Sequence, residues 1–330
     1  MVLAIDIGNT TIAFTGLELT GTEVLTLCPA RTDSVPASPQ SPEDEVFGVP
    51  DEAFGAVDKS AAPVKVFESA ERADTSDEAF GSVNFEIVFS EKIPTETGKD
   101  TAVFLRESGL VLGRYSIGTA EADTRAVDAV AISSVVPACT PAAKILAEKI
   151  CKSPPVVINW KCNTGLSFEE IPVPDRVGAD RVADSAWAAA RYPLPVMTVD
   201  MGTATTINIV SADRKFLGGM IGAGVRTALH SLRTGTAQLP ELLPGPVPPE
   251  KLIGKDTAGC MLSAAVVGTA AMIDGLTGHV EEQIGSPLTL ILTGGNANAV
   301  SEWIRHSYVL EPGLAAKGSA LIALRETGIQ

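Results

Sequence analysis

At 330 residues the chain exceeds what one hydrophobic core usually supports, so two domains of roughly 150 residues each are expected. A hydrophobic share of 45% with 20% charged excludes disorder over most of the length. Forty acidic against 25 basic side chains, a formal charge of −15, exclude nucleic acid and anionic membrane surfaces as expected partners; a nucleotide is still admissible, because backbone N–H groups and a metal ion hold it locally.

The chain opens with an apolar run, residues 1–5, that meets an acid at Asp6 and has no basic lead; it predicts a strand and not a signal peptide. Residues 1–7 and 11–19 are β-rich around a Gly8-Asn9-Thr10 turn, which predicts a hairpin. From Pro29 to about residue 82 the composition shifts to Pro, Ser, Asp and Glu, and an insertion or flap near residues 30–82 is expected. Within it Asp44-Glu45-Val46-Phe47-Gly48, Asp51-Glu52-Ala53-Phe54-Gly55 and Asp77-Glu78-Ala79-Phe80-Gly81 repeat an acidic-aromatic unit that suits either a phenylalanine-pinned surface loop or a partner-docking element.

Residues 144–152, 181–190 and 261–276 predict helices, the second opening after Gly178-Ala179-Asp180-Arg181. A second apolar strand, 196–200, ends in Asp200 and turns through Gly202-Thr203-Ala204-Thr205-Thr206 into another, 207–210. Two copies of strand, Asp, x, Gly, small polar residue, strand suggest a duplicated architecture with one phosphate loop from each half. Residues 288–292 enter a third turn, Thr293-Gly294-Gly295, suited to close approach of an adenosine or its phosphates. The longest apolar run, 264–273, is about half of a membrane span. Five widely spaced cysteines without a C-x-x-C pair read as reduced thiols, and a cytoplasmic protein without membrane attachment is expected.

A strand ending in Asp6 and turning through Gly8, Asn9 and Thr10 sets a carboxylate beside donors able to hold a metal-bound triphosphate, with Asp6 orienting Mg²⁺ through its water shell; an ordinary hairpin turn is the alternative. Asp200 with Thr203, Thr205 and Thr206 would form an opposing wall; threonines serving as β-formers that face solvent are the alternative for Thr205 and Thr206, though not for Asp200. Asp180 is the candidate base for an attacking hydroxyl, and Arg181 the candidate clamp for a carboxylate substrate; a helix cap is the alternative for Asp180. His230, His279 and His306 lack ligand spacing.

In order, Asp6-x-Gly8-Asn9-Thr10, Ser133-Ser134-Val135-Val136-Pro137, Gly178-Ala179-Asp180-Arg181, Asp200-x-Gly202-Thr203-Ala204-Thr205-Thr206, Gly218-Gly219 and Thr293-Gly294-Gly295 resemble type III pantothenate kinase. The resemblance covers about the first thirty residues and then residue 85 to the end. It implies an α/β protein of two related ribonuclease-H-like, actin-like ATPase domains, about 1–190 and 191–330, with a cleft between them and the 30–82 segment inserted. It further implies a homodimer and ATP-dependent phosphorylation of pantothenate, the first step toward coenzyme A.

In that family the positions matching Asp6, Gly8, Asn9, Thr10, Thr203, Thr205, Gly294 and Gly295 face ATP, and Asp180 is the base. Gly178, Arg181 and Thr236 match substrate contacts, and Asp200 matches a site for a monovalent cation, potassium or ammonium. Two stretches depart from the family pattern. Ile171-Pro172-Val173-Pro174-Asp175-Arg176 stands where a tyrosine and an Asn-Pro are usual, and Ile221-Gly222-Ala223-Gly224 replaces an Ile-x-Pro-Gly. The alternatives are an accessory or regulatory homologue without kinase activity, and a kinase for another small hydroxy acid.

Overall fold

Alternation along the strands decides the architecture. In the computed structural model, which describes residues 1–20, 83–118, 125–242, 249 and 251–329, the first strand β1 (Val2–Ile7) sends Leu3, Ile5 and Ile7 to one side. Val2 and Ala4 pass to the other, and Asp6 follows them. The 30–82 segment and its repeated unit lie outside the described residues.

β1 is the middle of a five-stranded sheet. It pairs antiparallel with β2 (Thr11–Thr20), which pairs antiparallel with β3 (Asn84–Pro94); on its other flank β4 (Ala129–Ser134) and then β5 (Val156–Val157) run parallel. The second sheet repeats the scheme strand for strand. β6 (Val196–Met201) is central, β7 (Ala204–Val210) and β8 (Phe216–Ala223) follow antiparallel, and β9 (Thr289–Thr293) and β10 (Tyr308–Leu310) lie parallel on the far flank. Parallel neighbours need crossovers, and helices supply them. α1 (Thr101–Gly113) and α2 (Thr140–Ile150) serve the first sheet. α3 (Ala179–Arg191) then leads into the second, where α4 (Val225–Gly235), α5 (Thr257–Ile284) and α6 (Ala297–Ser301) follow, and α7 (Leu314–Thr327) comes last.

Three apolar layers result. The outer face of the first sheet packs on α1 and α2 through residues such as Phe14, Phe104 and Leu146. The outer face of the second packs on α4, α5 and α6 through Met197, Leu229 and Ile273. Between the inner faces of both sheets lie α3 and α7, whose alanines join Val2, Ala131, Val196 and Ile291 in one core around the buried Trp187. Burying each large side chain there contributes on the order of 2 kcal/mol. The two helices approach closely enough that a Cβ on Gly318 would sit 1.9 Å from the Ala183 carbonyl oxygen.

Two elements are longer than their apolar runs. α5, expected over 261–276, spans 28 residues because the Asp256 carboxylate accepts the Gly259 N–H at 2.7 Å and Gly285, at φ 73°, ends it. By length and composition it could cross a membrane; here Met261, Ala265, Val266, Ala270 and Ile273 line the second sheet's outer core. β7 begins at Ala204, so Thr205 and Thr206 belong to the strand and only Gly202 and Thr203 form the turn.

Candidate active site

Register carries one acid from each sheet to the same place. Asp6 ends β1 on the inner face, with Ser133 of β4 beside it, and Asp200 ends β6 on the inner face, with Thr293 of β9 beside it. The two turns that follow touch: the Thr10 and Thr203 hydroxyls lie 3.1 Å apart. Each turn is closed by its own backbone, Gly8 N–H to Thr11 O and Gly202 N–H to Ala204 O, both 3.0 Å.

Other segments brace the turns. The Thr95 hydroxyl donates to Gly8 O at 2.7 Å, and the Thr227 hydroxyl to Thr203 O at 2.6 Å. Gly294, at φ 93°, lies so close to β6 that a Cβ would fall 2.3 Å from Asp200 Oδ1. Asn296 anchors the same loop by donating its side-chain amide to Met201 O at 3.1 Å. Gly295 is open, and Asn9 is exposed at the first turn.

The helix between the sheets supplies the remaining acids. Gly178, and not Asp180, holds the cap position of α3, and Asp180 is its second residue, with Oδ1 accepting the Arg181 N–H at 2.8 Å. One turn further along, Asp184 is fully buried, with neither carboxyl oxygen hydrogen-bonded among the described residues. Burial and the neighbouring Asp200, Asp180 and Asp6 hold Asp184 well above the usual carboxylate range. Burial, then Asp180, pushes Asp6 up to about 6, and the Ser133 hydroxyl and Lys92 oppose the rise. Burial, then Asp6 and Asp180, pushes Asp200 up to about 7 against Lys92. Crowded carboxylates with oxygens to spare are poised for cations and for proton transfer.

Arg181 is held from several sides. Its Nε donates to Asn208 Oδ1 at 2.5 Å, Nη2 to Ile207 O at 3.4 Å, and the guanidinium lies 5.6 Å from the Phe216 ring centre. Burial lowers its pKa from the ordinary arginine value. Adjacent glycines of β8 make room: a Cβ on Gly219 would lie 3.1 Å from Arg181 Nη2, and one on Gly218 would lie 3.7 Å from Ile171 Cδ1. Ile171, the first residue of the 171–176 segment, therefore borders the surface beside Arg181.

Asp6, Thr10, Asp180, Asp200, Thr203 and Gly294 are thus brought together. Thr205 and Thr206 fall on opposite faces of β7: Thr205 shares the outer face of Ile207 and Ile209, Thr206 sits beside Asp200 on the inner face, and both hydroxyls are buried without a partner among the described residues. Thr236 stands apart, exposed at the far end of α4, about 16 Å along the axis from its start. Asp184 and Lys92 escaped sequence reasoning. For Asp184 the signal was its i+4 spacing from Asp180, which puts both on one helix face; for Lys92 there was none before the register was known.

A family model described as type III pantothenate kinase matches residues 86–279. The chain is similar to the type III pantothenate kinase of Caulobacter vibrioides, 36% identical over 53% of this chain and 66% of that one. The corresponding protein of Rhodospirillum rubrum is 34% identical, over 60% of this chain and 77% of its own. Among solved structures, an acetate kinase from Porphyromonas gingivalis aligns over 99% of both chains at a TM-score of 0.43 and 11% identity.

Proposed function

This chain belongs to the type III pantothenate kinase family, and on that premise we propose that it transfers the γ-phosphoryl group of ATP to the primary hydroxyl of pantothenate. The observation that carries the reading is the convergence of Asp6 and Asp200, from equivalent strands of two like sheets, on the α3 turn bearing Asp180. The repeated strand order supports two actin-like domains, about 1–190 and 191–330, with the nucleotide between them. We take the working unit to be a cytoplasmic homodimer, to which the half-exposed apolar α5 would lend surface.

In this reading Asp180 accepts the proton of the attacking hydroxyl and fixes its approach, while Asn9, Thr10 and Thr203 donate to phosphate oxygens as charge moves onto the leaving group. Gly178 and Arg181 would contact the acceptor, the guanidinium facing its carboxylate, and Thr236, which stands apart in its own chain, would do so only across the proposed homodimer. Glycines 294 and 295 would let the nucleotide approach the backbone.

The donors fit hard cations, being oxygen only, with Asp184's two orphaned oxygens among them. Close as these acids are, no three of them are placed to share one ion among the described residues, which suits an ion held by one or two carboxylates, water and phosphate. Asp6 would hold Mg²⁺ through water, and Asp200 a potassium or ammonium ion; bound there, such ions neutralise phosphate charge. A coupled ADP-release assay with Mg²⁺, potassium and pantothenate tests the reading. Pantothenate-dependent turnover is expected. Turnover only with other hydroxy acids would move the acceptor, as the 171–176 wall beside Arg181 would allow, and no turnover by folded protein would overturn the kinase.

A further inference from the structure

The cross-strand row containing Asp6 holds one cation, and the reaction has not used it. Lys92 on β3 lies opposite Ala13 on β2, Ala13 opposite Asp6, and Asp6 opposite Ser133. Their strand neighbours Ile93, Ile12, Phe14, Ile5, Ile7 and Ile132 all enter the first sheet's outer core, so the whole row faces inward. Strands lie about 4.8 Å apart, which puts the Lys92 and Asp6 backbones about 10 Å from each other, a gap that a four-carbon stem largely closes.

The end of β3 is also tied to the phosphate turn. The Thr95 N–H donates to Thr10 O at 3.1 Å and its hydroxyl to Gly8 O at 2.7 Å. Lys92 is close enough that its charge opposes the rise of both Asp6 and Asp200. It is exposed, hence free to meet a ligand. The equivalent row of the second sheet is Ile221, Thr206, Asp200 and Thr293, with an isoleucine in the place of the lysine.

A triphosphate entering beside Asp6, Asp180 and Asp200 meets like charge, and a fixed cation on the wall lowers that repulsion where water is displaced. We propose that the Lys92 ammonium contacts the triphosphate of ATP, as a phosphate-binding residue contributed by the third strand of the first sheet. The proposal rests on the kinase reading above for the identity of the ligand.

The test is calorimetric titration of a non-hydrolysable ATP analogue with Mg²⁺, and of adenosine, into Lys92→Met, Lys92→Gln, Lys92→Arg and a surface control, Lys144→Met. Both neutral variants are expected to lose about 10- to 100-fold in analogue affinity, as for a hydrogen bond to a charged group. Adenosine binding should stay within about twofold, and the Arg variant and the control should bind the analogue near the wild-type level. In steady state the KM for ATP should rise while that for pantothenate holds. Unchanged analogue affinity, or equal losses for analogue and adenosine, would overturn the proposal. If the wild type fails to phosphorylate pantothenate while the analogue loss persists, the acceptor assignment falls and the Lys92 contact stands.

Discussion

The two sheets have one plan and differ in what stands around its central acid. In the first, Asp6 has Ser133 on the parallel side and Ala13 then Lys92 on the antiparallel side; in the second, Asp200 has Thr293 and then Thr206 and Ile221. A hydroxyl on the parallel flank is common to both halves, whereas the cation belongs to the first alone. The third strand of the second sheet carries Gly218 and Gly219 instead, and Arg181 and Ile171 use the space. A repeated fold thus offers two equivalent positions, and on the proposed reading the substituted neighbours set Lys92 toward phosphate beside the first and leave room for Arg181 and the acceptor beside the second.

The sharpest way to break that division is to remove what lies between the halves. Asp180→Asn should lower kcat by about 10² to 10⁴-fold, the range of a lost general base, with ATP-analogue affinity kept. Near-normal single-turnover rates would take Asp180 out of the base role. Next come the paired acids: Asp6→Asn and Asp200→Asn should each cost about 10²-fold in kcat/KM. If the halves are specialised, only the Asp200 variant should change the response to potassium, measured by titrating the salt at fixed Mg²⁺.

A smaller effect probes the acceptor side. Gly219→Ala would place a Cβ 1.8 Å from the Ile207 carbonyl oxygen and crowd Arg181, so the strand must shift. A loss of about 1 to 3 kcal/mol in denaturant unfolding is expected, with the KM for pantothenate rising more than that for ATP. Equal rises in both would argue against the division.

The smallest effect is in pH dependence. Asp6 and Asp200, raised from 3.8 to about 6 and about 7, hold protons in the folded protein that the unfolded chain has released. Their contribution to stability is therefore greatest below about pH 4, falls as pH rises through about 6 to 7, and is level above. Asp184→Asn removes one of the repelling carboxyls. It should raise the thermal midpoint at pH 8 by about 2 °C or more and flatten the fall between pH 5 and 7. A midpoint indifferent to the substitution would mean that Asp184 is not pressed by its neighbours.

Local pattern alone marked the hairpin at Gly8 and Asn9, the strand ending in Asp200, the helix opening near Asp180 and the glycine turn at Gly294, because each rests on apolar periodicity and turn residues that act within a few positions. The family too was legible there, through the order of those motifs. What the tertiary structure decided is which faces meet. Register set Thr206 on the face of Asp200 and Thr205 on the other, put Lys92 in the row of Asp6 although 86 positions separate them along the chain, and buried Asp184 among three other acids. Sequence spacing cannot show this, since the side of a sheet on which a residue lands is shared with strands far away in the chain, and the charge a carboxyl feels is set by whatever those strands bring beside it.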